Sequence, residues 1–346
     1  MKLSIPEVLD KSHLPSLDGY RGIAILLVLI EHTFPSALLP FNGGYGVYIF
    51  FGISGFLITT LLLKEKAKTG RVSLRMFYIR RVLRIFPVAY LMIFVLLIIN
   101  FVLDLEIPSS EFLGAALYLQ NTSLFSVDHS YLSHYWSLSI EEQFYFIFPA
   151  FIRGRAGIYI AIVFLLIALA PVISYLHVFG IVTSRSFVLI DEILRFMPAL
   201  LIGSLFSVVL CYRVITIPAR IPYRSVIVLF LLIAGGYLIS QPAILLSTSV
   251  AFTVAYVLVG LMIVLSLVPG NDPMFRLLNN RVLATIGIYS YSIYIWQQIF
   301  AKHRPWRGMF PGSDSDILNL AVLAVVCYVS YNFYEKKFLL LKDRFR

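Results

Sequence analysis

LDGYRGIAILLVLIEHTF, residues 17–34, is the first apolar run of the chain, and it holds Arg21 and His32 eleven residues apart. Eleven residues is close to a whole number of helical turns, so both side chains fall on one face of a helix. At about 1.5 Å per residue they are separated by roughly 16 Å along its axis. An Arg near the centre of a membrane span costs about 2.5–3.5 kcal/mol, and such residues usually face a protein interior or a wet cavity. The run therefore reads as a membrane helix whose polar residues are there for use.

The rest of the chain supports that class. Its 346 residues are 60% hydrophobic and 13% charged, with a mean hydropathy of +0.88; a soluble domain is nearer 25% charged. Apolar runs of about 18–25 residues recur, enough to cross a hydrocarbon core of about 30 Å, without the alternation of barrel strands. The expected fold is all-α and integral to the membrane: a polytopic bundle of about ten transmembrane helices in a single domain over 1–346, with no fused extracellular domain. The span centres fall near 30, 53, 94, 144, 167, 200, 232, 255, 292 and 327. The segment 111–127 is apolar but short, and Gln120, Asn121, Thr122 and Ser123 interrupt it. It reads as a re-entrant or interfacial element.

Charge sets the topology. The net charge of +10 comes from basic clusters between spans, the topology signal of a membrane protein rather than a nucleic-acid surface. Residues 64–84 carry Lys64, Lys66, Lys68, Arg71, Arg75, Arg80, Arg81 and Arg84 against Glu65 alone, which makes that loop cytoplasmic. Ten spans put Arg153 and Arg155, the later basic loops and the C-terminal Lys336, Lys337, Lys342, Arg344 and Arg346 on the same side, with both termini cytoplasmic. Lys302, His303, Arg304 and Arg307 then land outside, partly balanced by Asp314 and Asp316. Residues 1–18 hold Glu7, Asp10, Lys11 and Asp18 and no small-residue cleavage site follows, so no cleavable signal is expected. Cys211 and Cys327 suggest no disulfide framework.

Four stretches could carry chemistry. In the first, Asp18 is a plausible N-cap, and a helix that starts at Gly19 puts His32 near mid-membrane, where a neutral imidazole could act as general base toward a hydroxyl; alternatively Arg21 snorkels to the headgroups and His32 bonds a neighbouring helix. GGYGVYIFFGISGFLIT, 43–59, has glycines and Ser54 that permit close helix packing or close approach of a ligand. In FYIRRVLRIFPVAY, 77–90, Arg81 and Arg84 share a face, with Arg80 beside them; guanidinium forks suit phosphate, although positive-inside anchoring explains them too. HYWSLSIEEQFYFIFP, 134–149, sets Glu141 and Glu142 at the mouth of a span behind Trp136 and Ser137, where a lone carboxylate is expensive without a partner. Elsewhere Asp191 and Arg195 are spaced for an ion pair, Tyr289, Tyr291, Tyr294 and Trp296 for an aromatic belt, and Glu335 for a structural contact.

Taken together these segments resemble the acyltransferase-3 family, bacterial membrane proteins that mostly O-acetylate surface carbohydrates. LDGYRGIAILLVLIEH, GVYIFFGISGFLIT, RRVLRIFP and WSLSIEEQFYFIFP match its motifs in order, and IGIYSYSIYIW and SYNFYEKKF resemble its closing segments. The resemblance implies that Arg21 and His32 are the functional pair. It implies that Arg80, Arg81, Arg84 and Ser54 serve a cytoplasmic acyl-CoA, acetyl-CoA in the commonest case, with no metal. Glu141 and Glu142, with Trp136, Ser137 and Tyr145, would lie toward the acceptor. Two positions depart from the pattern: Tyr48 stands where the family often has an acid, and Gln297 where it often has a His.

The expected activity is O-acyl transfer in the bacterial cytoplasmic (inner) membrane, from acetyl-CoA to a hydroxyl of a carbohydrate or lipid-linked glycan, among membrane lipids and without nucleic acid. His32 would act as base or take the acyl group transiently, with Arg21 giving electrostatic support. Two other readings stay open: a small-molecule acceptor with another acyl-CoA, and a transporter of a lipid-linked sugar or acyl group that releases no CoA.

Overall fold

The computed structural model describes residues 3–11, 14–34, 42–125, 130–218, 220–240 and 247–345; residues 126 and 127 of the expected re-entrant segment, and Arg346, lie outside them. Among the described residues all regular structure is helical. The helices are α1 (Glu7–Asp10), α2 (Pro15–Thr33), α3 (Gly44–Thr69), α4 (Leu74–Leu103), α5 (Ser109–Ala116), α6 (Tyr135–Ile152), α7 (Ala156–Val178) and α8 (Arg185–Leu194). After them come α9 (Met197–Cys211), α10 (Arg224–Ser240), α11 (Ser247–Ser266), α12 (Pro273–Leu278), α13 (Arg281–Gln297), α14 (Asp316–Val329) and α15 (Lys336–Lys342). π-helical turns occupy Gln298–His303 and Ser330–Glu335.

A helix covers each expected span centre. Four are long and apolar enough to cross a membrane: α3, α4, α7 and the run Asp316–Phe345; α8 and α9, bent by 43°, make a fifth if they form one span. α10 and the 250–266 part of α11 are apolar but shorter, and α13 has 17 residues. α2 and α6 carry their polar cargo within the run: Asp18, Arg21 and Glu31 in one, Glu141, Glu142 and Gln143 in the other. The eight residues of α5 rise only about 12 Å at about 1.5 Å each, too short to cross.

Several local expectations change. α2 starts at Pro15, whose fixed φ suits a first turn, so Asp18 is a first-turn residue rather than the N-cap. It pairs with Arg21, Nη1 to Oδ1 3.3 Å. The same helix ends at Thr33, which puts His32 in the last turn and not at mid-span. The basic loop 64–84 is mostly helix, since α3 runs to Thr69 and α4 begins at Leu74. Its Lys66 Nζ donates to the carbonyls of Ile152, Arg153 and Gly154 at 2.8–3.2 Å, a cation on the open carbonyls at the end of α6.

The chain forms two compact units. The first comprises Met1–Val28, Ser36–Val72 and Ile140–Gly287; the second Leu29–Pro35, Ser73–Ser139 and Ile288–Arg346. In the first, α3 packs against α9, and α11 against α3, α9 and α10. Of the most apolar stretch of α3, 78% is buried, against 17% for α7. α3 is therefore a core helix, and α7 shows its apolar surface outward. A Cβ on Gly55 would lie 1.9 Å from the Leu200 carbonyl oxygen, and one on Gly203 2.2 Å from that of Gly52. Only glycine lets these two backbones come so close, so packing accounts for Gly55 of the second motif. In the second unit α15 lies on α4, and α14 on the turn Gln298–His303. There Arg304 pairs with Asp316 and Arg307 with Asp314 (2.9 Å), so the basic loop that ran against the topology carries its own counter-charge.

Candidate functional site

The second unit gathers hydroxyls, imidazoles and amides around His32. The His32 Nδ1 lies 2.6 Å from Gln297 Oε1. Gln297 is fully buried at the end of α13, and it is one of the two positions that depart from the family pattern. Its Nε2 donates to Gln298 Oε1 at 3.4 Å. Gln298 Nε2 in turn donates to Ser133 Oγ (2.7 Å) and to the Ser130 carbonyl (3.3 Å), and lies 3.1 Å from His303 Nε2. These groups sit where α13 gives way to the π-helical turn; an extra residue per turn re-aims side chains, and such turns recur at functional sites.

Beside them is His134, 3% exposed. Neither of its ring nitrogens meets a hydrogen-bond partner at full geometry, the Ile295 backbone being the polar group beside it. Its ring contacts those of Tyr135 and Tyr294, with centroids 4.9 and 5.8 Å away. Ser137 Oγ shares a 2.6 Å hydrogen bond with Tyr294 OH, and both oxygens lie 3.2 Å from the His134 carbonyl, which accepts from the hydroxyl that does not donate to the other. Glu111 accepts from Ser130 Oγ, Tyr135 donates to the Ala89 carbonyl (2.6 Å), and Tyr131 lies over His303, 4.4 Å between centroids. Buried polar groups demand partners, and this unit concentrates them on α6, α13 and the turns that flank them.

The same unit holds the arginines of α4. Arg80 Nη1 donates to the Phe345 carbonyl at 2.8 Å, Arg81 stacks over the Phe77 ring, and Arg84 is within electrostatic reach of Glu335. Glu335 is buried and accepts from Ser292 (2.5 Å) and Ser330 (2.8 Å), the structural contact expected of it. Trp136 is half-buried and Ser137 buried. Tyr294 and Trp296 are buried, Tyr291 donates to the Ile85 carbonyl (2.8 Å), and Tyr289 accepts from Asn332 (2.9 Å). The expected aromatic belt is thus an interior set: Tyr289, Tyr291 and Tyr294 spend their hydroxyls on protein rather than headgroups, and Trp296 is buried.

The other expected site residues fall in the first unit. Arg21, Ser54, Glu141 and Glu142 are half-buried there, and Tyr145 OH donates to Glu141 Oε2 at 3.4 Å. Tyr48 sits in a ring cluster with Phe196, Phe252 and Tyr256, 5.2–6.0 Å between centroids. Where the family often has an acid, this chain has an aromatic core. Asp191 pairs with Arg195 as spaced, and also takes His177 (2.6 Å) and Ser174 (2.5 Å), a buried and satisfied carboxylate. Sequence reading missed His134, Gln298 and His303. The motif WSLSIEEQ drew attention past the His two residues ahead of its Trp, and nothing in linear order joins Gln298 to Ser133. Among the described residues no cluster fits a metal ion.

A family model described as an acyltransferase domain, acyltransferase-3, matches residues 14–333. The chain is 30% identical to a protein of Staphylococcus aureus (strain COL) named "Putative O-acetyltransferase", over 94% of this chain and 57% of that one. It is 29% identical to the "Putative peptidoglycan O-acetyltransferase YrhL" of Bacillus subtilis (strain 168), over 94% and 54%. With the O-acetyltransferase OatA of Staphylococcus aureus (strain NCTC 8325 / PS 47) it shares 27%, over 93% and 57%. The chain thus spans little more than half the length of the curated relatives it matches. No solved structure matches it. With its motifs in order and nearly its whole length matched, the chain belongs to the acyltransferase-3 family.

Proposed function

We propose that the protein is a membrane-bound O-acyltransferase that moves acetyl from acetyl-CoA to a hydroxyl of a surface carbohydrate or its lipid-linked precursor. The observation that carries this reading is His32, held through Nδ1 by Gln297 in a buried polar cluster. An imidazole fixed at one nitrogen offers the other as base. In the reaction its free nitrogen takes the acceptor hydroxyl proton as oxygen bonds to the thioester carbonyl carbon. The C–S bond then breaks, and the proton passes to the departing CoA thiolate. Products are the O-acetyl ester and CoA. Arg81 and Arg84, with Arg80 beside them at the start of α4, are suited to the phosphates of CoA. Trp136, Ser137 and Tyr145, with Glu141 and Glu142, would meet the acceptor. The names of the three relatives favour an acetyl donor, and that of the Bacillus subtilis protein a glycan acceptor.

In this reading the chain crosses the bacterial inner membrane ten times with both termini cytoplasmic. Donor enters from the side of the α4 arginines and acceptor from the other. The test is CoA release from acetyl-CoA by detergent-purified protein with a crude surface glycan, wild type beside His32→Ala. The expected result is glycan-dependent release that falls at least about 100-fold in the variant. Equal release from both would remove His32 from the chemistry, and acceptor movement without any CoA release would replace transfer with transport.

A further inference from the structure

We infer that Gln297 and Gln298 form an amide relay that fixes the tautomer of His32 with the proton on Nδ1, so that Nε2 is the basic nitrogen. The inference rests on His32 acting as the base proposed above. Ser130 supplies the one group of the chain of hydrogen bonds whose polarity cannot change. The Ser130 carbonyl only accepts, and a glutamine amide nitrogen only donates, so the Gln298 atom 3.3 Å from it is the NH2 group. Ser133 Oγ at 2.7 Å accepts the second hydrogen of the same nitrogen, and His303 Nε2 lies 3.1 Å from it. The Gln298 oxygen must then face Gln297, and an oxygen accepts, so the Gln297 atom 3.4 Å from it is Nε2. That turns Gln297 Oε1 toward His32, 2.6 Å from Nδ1. An amide oxygen accepts only, so Nδ1 carries the hydrogen and the lone pair of the neutral ring lies on Nε2. Reversing either amide would face oxygen against oxygen in a buried place, where an unmade hydrogen bond costs about 1–3 kcal/mol. Gln297, Gln298 and Ser130 are all buried, so no bulk water relieves such a mismatch.

Gln297 is a positioning residue. It touches the base and not the reacting atoms, and its neutral oxygen orients the ring without the charge of a carboxylate. Long-range proton–nitrogen correlation spectra of 15N-histidine-labelled full-length protein in detergent report the tautomer directly, because Nε2 couples to both ring C–H protons. His32→Ala assigns the signal. The expected wild-type spectrum has His32 protonated at Nδ1. In Gln297→Leu that preference disappears and kcat falls about tenfold, part of the roughly 100-fold or more that a general base contributes, with KM within about twofold. Gln297→Glu keeps the acceptor: the Nδ1–H signal returns, and the acid limb of the kcat/KM profile moves up by about one pH unit, since an adjacent carboxylate favours the imidazolium. His32 protonated at Nε2 in an active wild-type protein overturns the relay and leaves acyl transfer standing, as does an acid limb unmoved in Gln297→Glu. His32 protonated at Nδ1 in a protein that releases no CoA upholds the relay and overturns the acyl-transfer reading.

Discussion

At the scale of the residue, Tyr48 and Gln297 are the instructive pair, because both stand where the family often carries an ionisable side chain. Their surroundings answer differently. Tyr48 lies among the rings of Phe196, Phe252 and Tyr256, so Tyr48→Asp would bury a carboxylate against apolar faces. The expected loss is about 2–3 kcal/mol, read as a lower Tm in detergent; an unchanged Tm would mean that the cluster tolerates an acid. Gln297 instead keeps a polar task, with an oxygen on His32. Outside the membrane helices, Asp272 gives the pH dependence. Burial pushes its carboxyl up, but hydrogen bonds from Arg224 and Ser225 outweigh that and hold it at about 2, below the ordinary 3.8. A depressed carboxyl stabilises above its unfolded pKa and loses that contribution as pH falls from 3.8 toward 2. Asp272→Asn should therefore lower Tm at pH 7 and flatten its fall between pH 4 and 2. A variant with the wild-type curve would show that the pair contributes nothing.

At the scale of the element, close backbone approach decides where substitutions hurt. Gly55 on α3 has no room for a Cβ against Leu200 of α9, so Gly55→Val must push two core helices apart. Overpacking of this kind costs about 1–3 kcal/mol, and the backbone oxygen in the way puts this case at the upper end. Gly157 on α7 meets nothing within 4 Å of its would-be Cβ, and Gly157→Ala should raise stability by about 0.5–1 kcal/mol through helix propensity. Thermal unfolding of both variants checks the pair together. Equal Tm values would deny that α3 and α9 pack through glycine. The π-helical turn after α13 illustrates the opposite use of an irregular element, since Gln298 follows Gln297 directly and both amides point into one polar cluster.

At the scale of the whole molecule, the ten-span topology is the claim to test. In a cysteine-free background, with Cys211 and Cys327 replaced, Lys68→Cys and Met309→Cys sit at exposed positions. A membrane-impermeant maleimide added to right-side-out cells should label position 309 and spare 68, and inverted vesicles should reverse the result. Labelling of both from one side would break the ten-span count. The ion pairs Arg304–Asp316 and Arg307–Asp314 remove the charge argument against an outer location for that loop.

The sequence by itself determined the helical class, a helix at every expected span centre and the family, because long apolar runs and ordered motifs are one-dimensional signals that hydropathy and spacing register directly. It also found the Asp191–Arg195 pair, because four-residue spacing on a helix is local. It misplaced the start of α2 and the position of His32 along it, because polar residues inside a span blur its limits. It read the glycines of 43–59 as ambiguous between ligand and packing, and took Tyr294 and Trp296 for a belt, because burial is a property of neighbours. Only the tertiary structure decided that Gln297 meets His32 across 265 positions of chain, that His134 is buried beside Tyr294, and that Tyr48 completes a ring cluster. Hydrogen-bond polarity passes from one side chain to the next through space, so the tautomer of His32 is set by a carbonyl at Ser130 that no reading of residues 17–34 contains.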